Sequence, residues 1–269
     1  MNNRPNFCIS MSNISSILTE NPVHRDILKT AGELGKKLDI PVFVVGGYVR
    51  DRLMNRPSTD IDILVEGNGL DFARKLANQL GIKTVVEYEK FGTALIPHND
   101  VEIEIATARK ETYSKDSRKP NVVQTTIDED MSRRDFTVNA VAASIRPETF
   151  GDLFDPFGGI GHMEQGLLIT PLDPDETFSD DPLRMMRAAR FAAQLNFKID
   201  GSVLDSIKCQ KDRLKIISWE RITEEIIKSL KTDTPSIAFY HLKDMGLLNY
   251  VFPEMDVMHG VEIINNKGH

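Results

Sequence analysis

The sequence is poor in cysteine. Cys8 and Cys209 are its only two among 269 residues, and they stand far apart in no metal-ligand spacing. A disulfide framework and a cysteine zinc site are therefore not expected, and a reducing cytoplasm fits. No apolar run approaches the about 18 residues that a membrane helix needs. The N-terminus has no basic region followed by an apolar stretch, so no secretory signal is expected either. There is no internal repeat and no low-complexity tract. What remains is 41% hydrophobic and 27% charged, enough for one or two domains with a sizeable core.

A basic excess is also lacking, since the net charge is −7. That alone argues against a nucleic-acid partner. The distribution argues the other way: from Arg184 to Lys231 there are eleven Lys and Arg against six Asp and Glu, leaving −12 for the rest. Such a stretch suits a phosphate backbone or is an ordinary solvated helix face. Charge alone does not separate the two.

Residues 1–22 are polar and rich in Asn and Ser, an expected tail. Residues 23–38 have the period of an amphipathic helix. Strand signals follow at 42–45, 61–65, 82–87, 93–96 and 101–106, with a helix at 69–80. This predicts an α+β head with a small mixed sheet over 23–150, rather than a regular parallel array. Residues 110–130 read as a polar loop, and a helix is predicted over Ser132–Ala143. A turn-rich junction covers 151–175. Helical periods near 180–195, 201–210, 218–231 and 234–245 predict an all-α region over 176–255, with 256–269 beginning something further.

The densest chemistry lies between Val42 and Val65. Val42-Phe43-Val44-Val45 reads as a buried strand, and Gly46-Gly47 then lets backbone approach a ligand closely. Tyr48 to Met54 reads as the first turns of a helix. A glycine turn at a helix N-terminus is suited to phosphate, because free N–H groups and the helix dipole point at it. Farther on, Asp60-Ile61-Asp62 begins an alternating strand, so both carboxylates face one way. Two neighbouring carboxylates repel unless a cation sits between them. Beside a phosphate turn that cation is Mg²⁺, and two such ions suit nucleotidyl transfer. Val101-Glu102-Ile103-Glu104-Ile105 offers a third carboxylate. Glu104, nearer the Thr107-Arg109 turn, is preferred to Glu102.

Two later groups extend the pattern. In Arg133-Arg134-Asp135-Phe136-Thr137-Val138-Asn139-Ala140, a helix would place Asp135 and Asn139 on one face, suited to ribose hydroxyls. The arginines suit a triphosphate. In Asp180-Asp181-Pro182-Leu183-Arg184-Met185-Met186-Arg187-Ala188-Ala189-Arg190, proline near an acidic start marks a helix N-terminus. Asp181 and Arg184 would form an acceptor–donor edge. That edge matches the amine and ring acceptor of adenine or cytosine, and has the wrong polarity for guanine and uracil. The plain alternative is an intrahelical ion pair.

Together with Asp155-Pro-Phe-Gly-Gly159, these groups resemble the bacterial-type, class II tRNA nucleotidyltransferases (CCA-adding enzymes) and the similar bacterial poly(A) polymerases, within the DNA polymerase β-like superfamily. The resemblance covers about 45–195, with five motifs in the family's order. It implies that Gly46, Gly47 and Arg50 hold the triphosphate and that Asp60 and Asp62 bind Mg²⁺. It implies that Arg134 contacts phosphate or ribose, that Asp181 and Arg184 read the base, and that Arg187 and Arg190 complete the pocket. Residues 107–125, including Tyr113, look like the family's flexible loop. The helical region would be its neck and RNA-binding body. The implied reaction adds CMP, CMP and AMP to a tRNA 3′ end from CTP and ATP. Poly(A) synthesis, CC-only or A-only addition, and a nucleotide- and RNA-binding fragment with weak turnover stay open. Family members usually continue further, many with a phosphohydrolase domain marked by a His-Asp pair. This chain has no His-Asp dipeptide, and truncation before such a part is the expectation. The sequence leaves the oligomeric state open.

Overall fold

A computed structural model describes residues 12–112, 121–258, 263–264 and 267–268. Side chains of 110–124 are outside this description, as are Cys8, Tyr113 and the expected loop tip at 113–120. The chain divides into two units between Gly161 and His162.

The first unit runs α1 (Ser15–Leu18), α2 (Pro22–Leu38), β1 (Val42–Val45), α3 (Gly46–Leu53), β2 (Asp60–Val65) and α4 (Gly69–Gln79). It continues with β3 (Val86–Tyr88), β4 (Thr93–His98), β5 (Val101–Thr107), β6 (Arg109–Thr112) and β7 (Asn121–Gln124). Then come α5 (Ile127–Ser132), β8 (Ala142–Ser144), β9 (Leu153–Phe154) and α6 (Gly159–Gln165), which crosses the unit boundary. α2 starts where the sequence signals it: Asn21 caps the Val23 and His24 amides, and Pro22 occupies the first turn.

The main sheet has the order β3-β4-β5-β2-β1-β8-β9. β2 and β5 are parallel, and its other pairs are antiparallel. Alternation sorts the two faces. Ile61, Ile63, Ile103, Ile105, Ala94 and Ile96 are buried on one face, where α4 packs on β2, β4 and β5 and α2 packs on β1. On the other face Leu64, with Val45, Ala140 and Ala142, lies in a cluster with Ile127 and Met131 of α5. Asp60 and Asp62 share the face of Leu64, and exposure increases along it from the buried Leu64 through the half-buried Asp62 to the exposed Asp60.

The expected α+β architecture stands, with local corrections. The predicted helix over Ser132–Ala143 is absent. α5 ends at Ser132, a 3-10 turn covers Thr137–Asn139, and β8 follows. The Asp135 carboxylate accepts the Phe136 amide at 2.8 Å, a local bond that competes with helical pairing. Part of the predicted 110–130 loop is ordered backbone: β6 and β7 pair as an antiparallel ribbon, and α5 follows. The predicted strand at 82–87 shrinks to β3.

The second unit holds β10 (Leu167–Leu168), α7 (Pro174–Asp180), α8 (Leu183–Leu195), β11 (Lys198–Ile199) and α9 (Gly201–Gln210). It goes on through α10 (Trp219–Leu230), α11 (Pro235–Asp244), α12 (Leu248–Val251) and α13 (Pro253–Val257). The predicted helix at 180–195 is α8, which starts at Leu183; α7 ends at Asp180, and the backbone is extended at Asp181 between the two. α8 is buried along most of its length and packs on α10 and α11. Asn196, in the left-handed conformation, ends it. No described helix is long and apolar enough to cross a membrane.

Candidate active site

In the first unit the parallel register of β2 and β5 sets Asp60 beside Glu102 and Asp62 beside Glu104. Burial pushes the Asp62 carboxyl up to about 6; the charge of Glu104 adds to this, Arg134 opposes it, Asp60 adds and Arg50 opposes. Two other carboxylates and two guanidinium groups thus act on Asp62. Asp62 is half-buried, while Asp60 and Glu104 are exposed.

Such a crowd of ionised oxygens at one sheet face suits a hard divalent cation. Among the described residues, no three His, Cys, Asp or Glu side chains converge into a ready-made metal cage. That is compatible with Mg²⁺, which keeps several waters and needs only one or two carboxylates plus substrate phosphate.

The glycine turn lies against these groups. Gly46 has φ +63°, and a Cβ there would collide with the Arg134 guanidinium. Its amide donates to Val141 O at 3.0 Å. A Cβ on Gly47 would stand 3.9 Å from Asp62 Oδ2 and 3.6 Å from an Arg50 nitrogen, so Gly47 faces the carboxylate without touching it. α3 begins here with no side-chain cap on its first amides.

Arg50 is buried, and its guanidinium has protein partners. It forms a fork with Asp51, at 2.9 and 2.8 Å, and donates to Asn139 Oδ1 at 2.6 Å. Asn139 in turn donates to Asp135 Oδ1 at 2.9 Å. Asp135 and Asn139 are buried too. The two residues meet as expected, through a tight turn rather than a helix, and their bond joins the glycine turn to the 133–140 segment. Arg134 donates to Asp130 at 3.1 Å and to the Asn139 carbonyl at 3.3 Å. Asp51 is a member of this network that the sequence reading did not single out; its place next to Arg50 was the available signal.

The remaining candidates belong to the second unit. Asp181 lies between α7 and α8. Its Oδ1 accepts the Leu183 amide at 3.2 Å, and its Oδ2 accepts from Arg221 of α10 at 2.7 Å. Arg184 donates to the Thr177 carbonyl at 3.3 Å. Arg190 is buried, donates to Glu225 at 2.6 Å and to Gln194 at 2.8 Å, and lies over the Phe191 ring at 3.9 Å. Arg187 stands 3.8 Å from the same Glu225. Arg221 and Glu225 were missed. They lie 40 and 35 residues from their partners, beyond any local pattern.

A mixed sheet carrying paired acidic strands beside a glycine turn is the layout of a nucleotidyltransferase head. Residues 42–169 match the family described as poly A polymerase head domain, and 196–258 match a probable RNA and SrmB-binding site of polymerase A. The A-adding tRNA nucleotidyltransferase of Halalkalibacterium halodurans is 33% identical over 88% of this chain and 57% of its own length. The CCA-adding enzyme of a Geobacillus species is 38% identical over 78% of this chain and 50% of its own length. Among solved structures, an apo CCA-adding enzyme superposes with a TM-score of 0.80 at 33% identity, over 91% of this chain and 60% of that one. Others are described as the enzyme in complex with ATP and, from Thermotoga maritima, with tRNA. The chain belongs to the tRNA nucleotidyltransferase and poly(A) polymerase family, and spans about half the length of these two curated relatives.

Proposed function

We propose that this chain is the catalytic part of an enzyme that adds CMP, CMP and AMP to a tRNA 3′ end, using CTP and ATP and releasing pyrophosphate, in the cytoplasm. The observation that carries the reading is the in-register pair Asp62 and Glu104, with Asp60 on the same face, beside the uncapped turn at Gly46 and Gly47. In this reading Asp60 and Asp62 hold Mg²⁺, supported by Glu104, and the metal would polarise the phosphoryl oxygens and activate the attacking hydroxyl. The α3 N-terminus receives the triphosphate. Arg134 offsets phosphate charge, while Arg50 holds the turn against Asn139 and Asp135 near the ribose. Asp181 and Arg184 present the acceptor–donor edge that reads adenine or cytosine. Arg187 and Arg190, tied to Glu225, keep α8 rigid beneath that edge. In this reading the head extends over 23–150, the junction over 151–175, and the neck and body over 176–255.

Relatives that are named A-adding enzymes favour a second reading, addition of the terminal A alone. One experiment separates the readings. The chain is incubated with labelled CTP and ATP and either tRNA lacking CCA or tRNA ending in CC, and products are sized. Three added nucleotides on the first tRNA are expected. A single A on the second and none on the first would replace this reading with A-addition, and a long A tail would replace it with poly(A) synthesis. Asp60→Ala and Asp62→Ala should each abolish addition at saturating Mg²⁺ with unchanged far-UV dichroism. Retained activity in either variant removes the metal assignment.

A further inference from the structure

The base-reading edge of Asp181 stands in a backbone segment that does not fix its own side chain. Asp181 is extended, between two helices, and one local bond, from the Leu183 amide, orients its carboxylate. Aspartate χ2 is broad, so one bond leaves the carboxylate plane loose. The second bond comes from Arg221, in the first turn of α10, to the other oxygen at 2.7 Å. Arg221 and Glu225 lie four apart on one face of α10. Glu225 grips Arg190, and Arg187 less closely, on α8. α10 therefore holds α8 at a buried ion pair and holds the acidic residue preceding α8 at a more exposed one.

We infer that Arg221 is a positioning residue for nucleotide selection: it fixes the Asp181 carboxylate so that an oxygen faces the exocyclic amine of adenine or cytosine. This rests on the base-reading role proposed above for Asp181 and Arg184. Each carboxylate oxygen can accept more than one hydrogen bond, so the bond from Arg221 does not use up the acceptor the base needs. It sets its direction. An exposed ion pair of this kind contributes little to stability, which makes a role in orientation separable from one in folding.

The test is direct binding of ATP, CTP, GTP and UTP to the 269-residue chain with Mg²⁺, in wild type, Arg221→Ala, Arg221→Lys, Asp181→Asn and the Arg221→Ala/Asp181→Asn double variant. Binding needs no tRNA, so weak turnover does not obscure it. Arg221→Ala is expected to lower the preference for ATP and CTP over GTP and UTP by about tenfold or more, since discrimination follows the placement of polar groups that meet the base. Arg221→Lys should recover part of it, because ammonium can reach one oxygen without the planar fork. In the Asp181→Asn background, Arg221→Ala should add nothing. A preference unchanged in Arg221→Ala but altered in Asp181→Asn overturns this inference and leaves base reading intact. A preference unchanged in Asp181→Asn removes base reading itself, and this inference with it. Equal weakening for all four nucleotides makes Arg221 structural only and overturns the proposal. If Arg221→Ala does not fold, Arg221→Lys and Arg221→Gln carry the same comparison.

Discussion

At the residue scale, the two glycines of the turn do different work. Gly46 is required by backbone geometry: its φ is +63°, and a Cβ would meet the Arg134 guanidinium. Gly47 has room for a Cβ, but that room lies beside Asp62. Gly46→Ala should therefore lower stability by about 1–2 kcal/mol, the cost of a left-handed non-glycine residue, before the displacement of Arg134 is added. Gly47→Ala should keep its denaturation midpoint while ATP affinity falls, because the new methyl occupies space next to the carboxylate. Urea unfolding and ATP titration of both variants check this. A Gly47→Ala protein that binds ATP as wild type does would show that the triphosphate does not approach there. The same small scale explains what was legible at this site. Residue identities and strand parity put Asp60 and Asp62 on one face of their strand, and Glu102 and Glu104 on one face of theirs; the parallel register that sets Asp62 beside Glu104 came only with the structure. The bond from Arg50 to Asn139 was not legible either, because a contact between residues 50 and 139 leaves no trace in local spacing.

At the scale of elements, strands and helices with strong periods are placed as the sequence predicts, within a residue or two, from α2 through β5 with the exception of β3, and again from α9 to α11. The misplaced ones are where a polar side chain captures a local amide, as Asp135 does at 136, or where pairing is supplied by a partner strand, as in β6 and β7. Neither has a hydrophobic period to announce it. The link between α2 and α3 shows how an element position is held. His24 Nδ1 lies 3.2 Å from the Tyr48 hydroxyl, and both residues are buried. Burial lowers the pKa of His24 from 6.5, and the charge of Arg52 adds to this. A histidine kept neutral by folding contributes stability that is fully present above the unfolded value of 6.5. That stability is lost as pH falls below it, because the unfolded chain then takes up the proton. Between about pH 7 and pH 5.5 the thermal midpoint of wild type should fall relative to that of His24→Gln, whose residue 24 does not titrate. His241 is lowered by burial as well and acts in the same direction, while Asp62, raised to about 6, acts in the opposite one, so the variant keeps a slope of its own against which His24 is read. Parallel pH profiles for the two proteins would mean that His24 does not couple folding to pH.

At the scale of the whole molecule, the net charge of −7 conceals a basic stretch over 184–231, and 196–258 match a probable RNA-binding family. The sequence alone left this stretch divided between a backbone-phosphate footprint and a solvated helix face. The structure reduces the cations available for such a role. Arg190 is buried against Glu225, Arg221 is held by Asp181, and Lys215 pairs with Asp212. Lys208 in α9 and Lys231 at the end of α10 are exposed, and are the better candidates for phosphate contact. Each contact to RNA releases condensed counterions, so binding weakens with salt in proportion to the number of contacts. Charge reversal, Lys208→Glu and Lys231→Glu, should weaken tRNA binding at low salt. It should also flatten the dependence of log Kd on log salt by roughly 0.7–1 per lost contact. The nucleotide affinities should stay as they are, because neither lysine belongs to the set that meets the triphosphate or the base. Filter binding of tRNA between about 50 and 200 mM salt measures this. A salt slope unchanged in the double variant would mean that the stretch is a solvated helix face, and that RNA contacts of this chain lie on other residues.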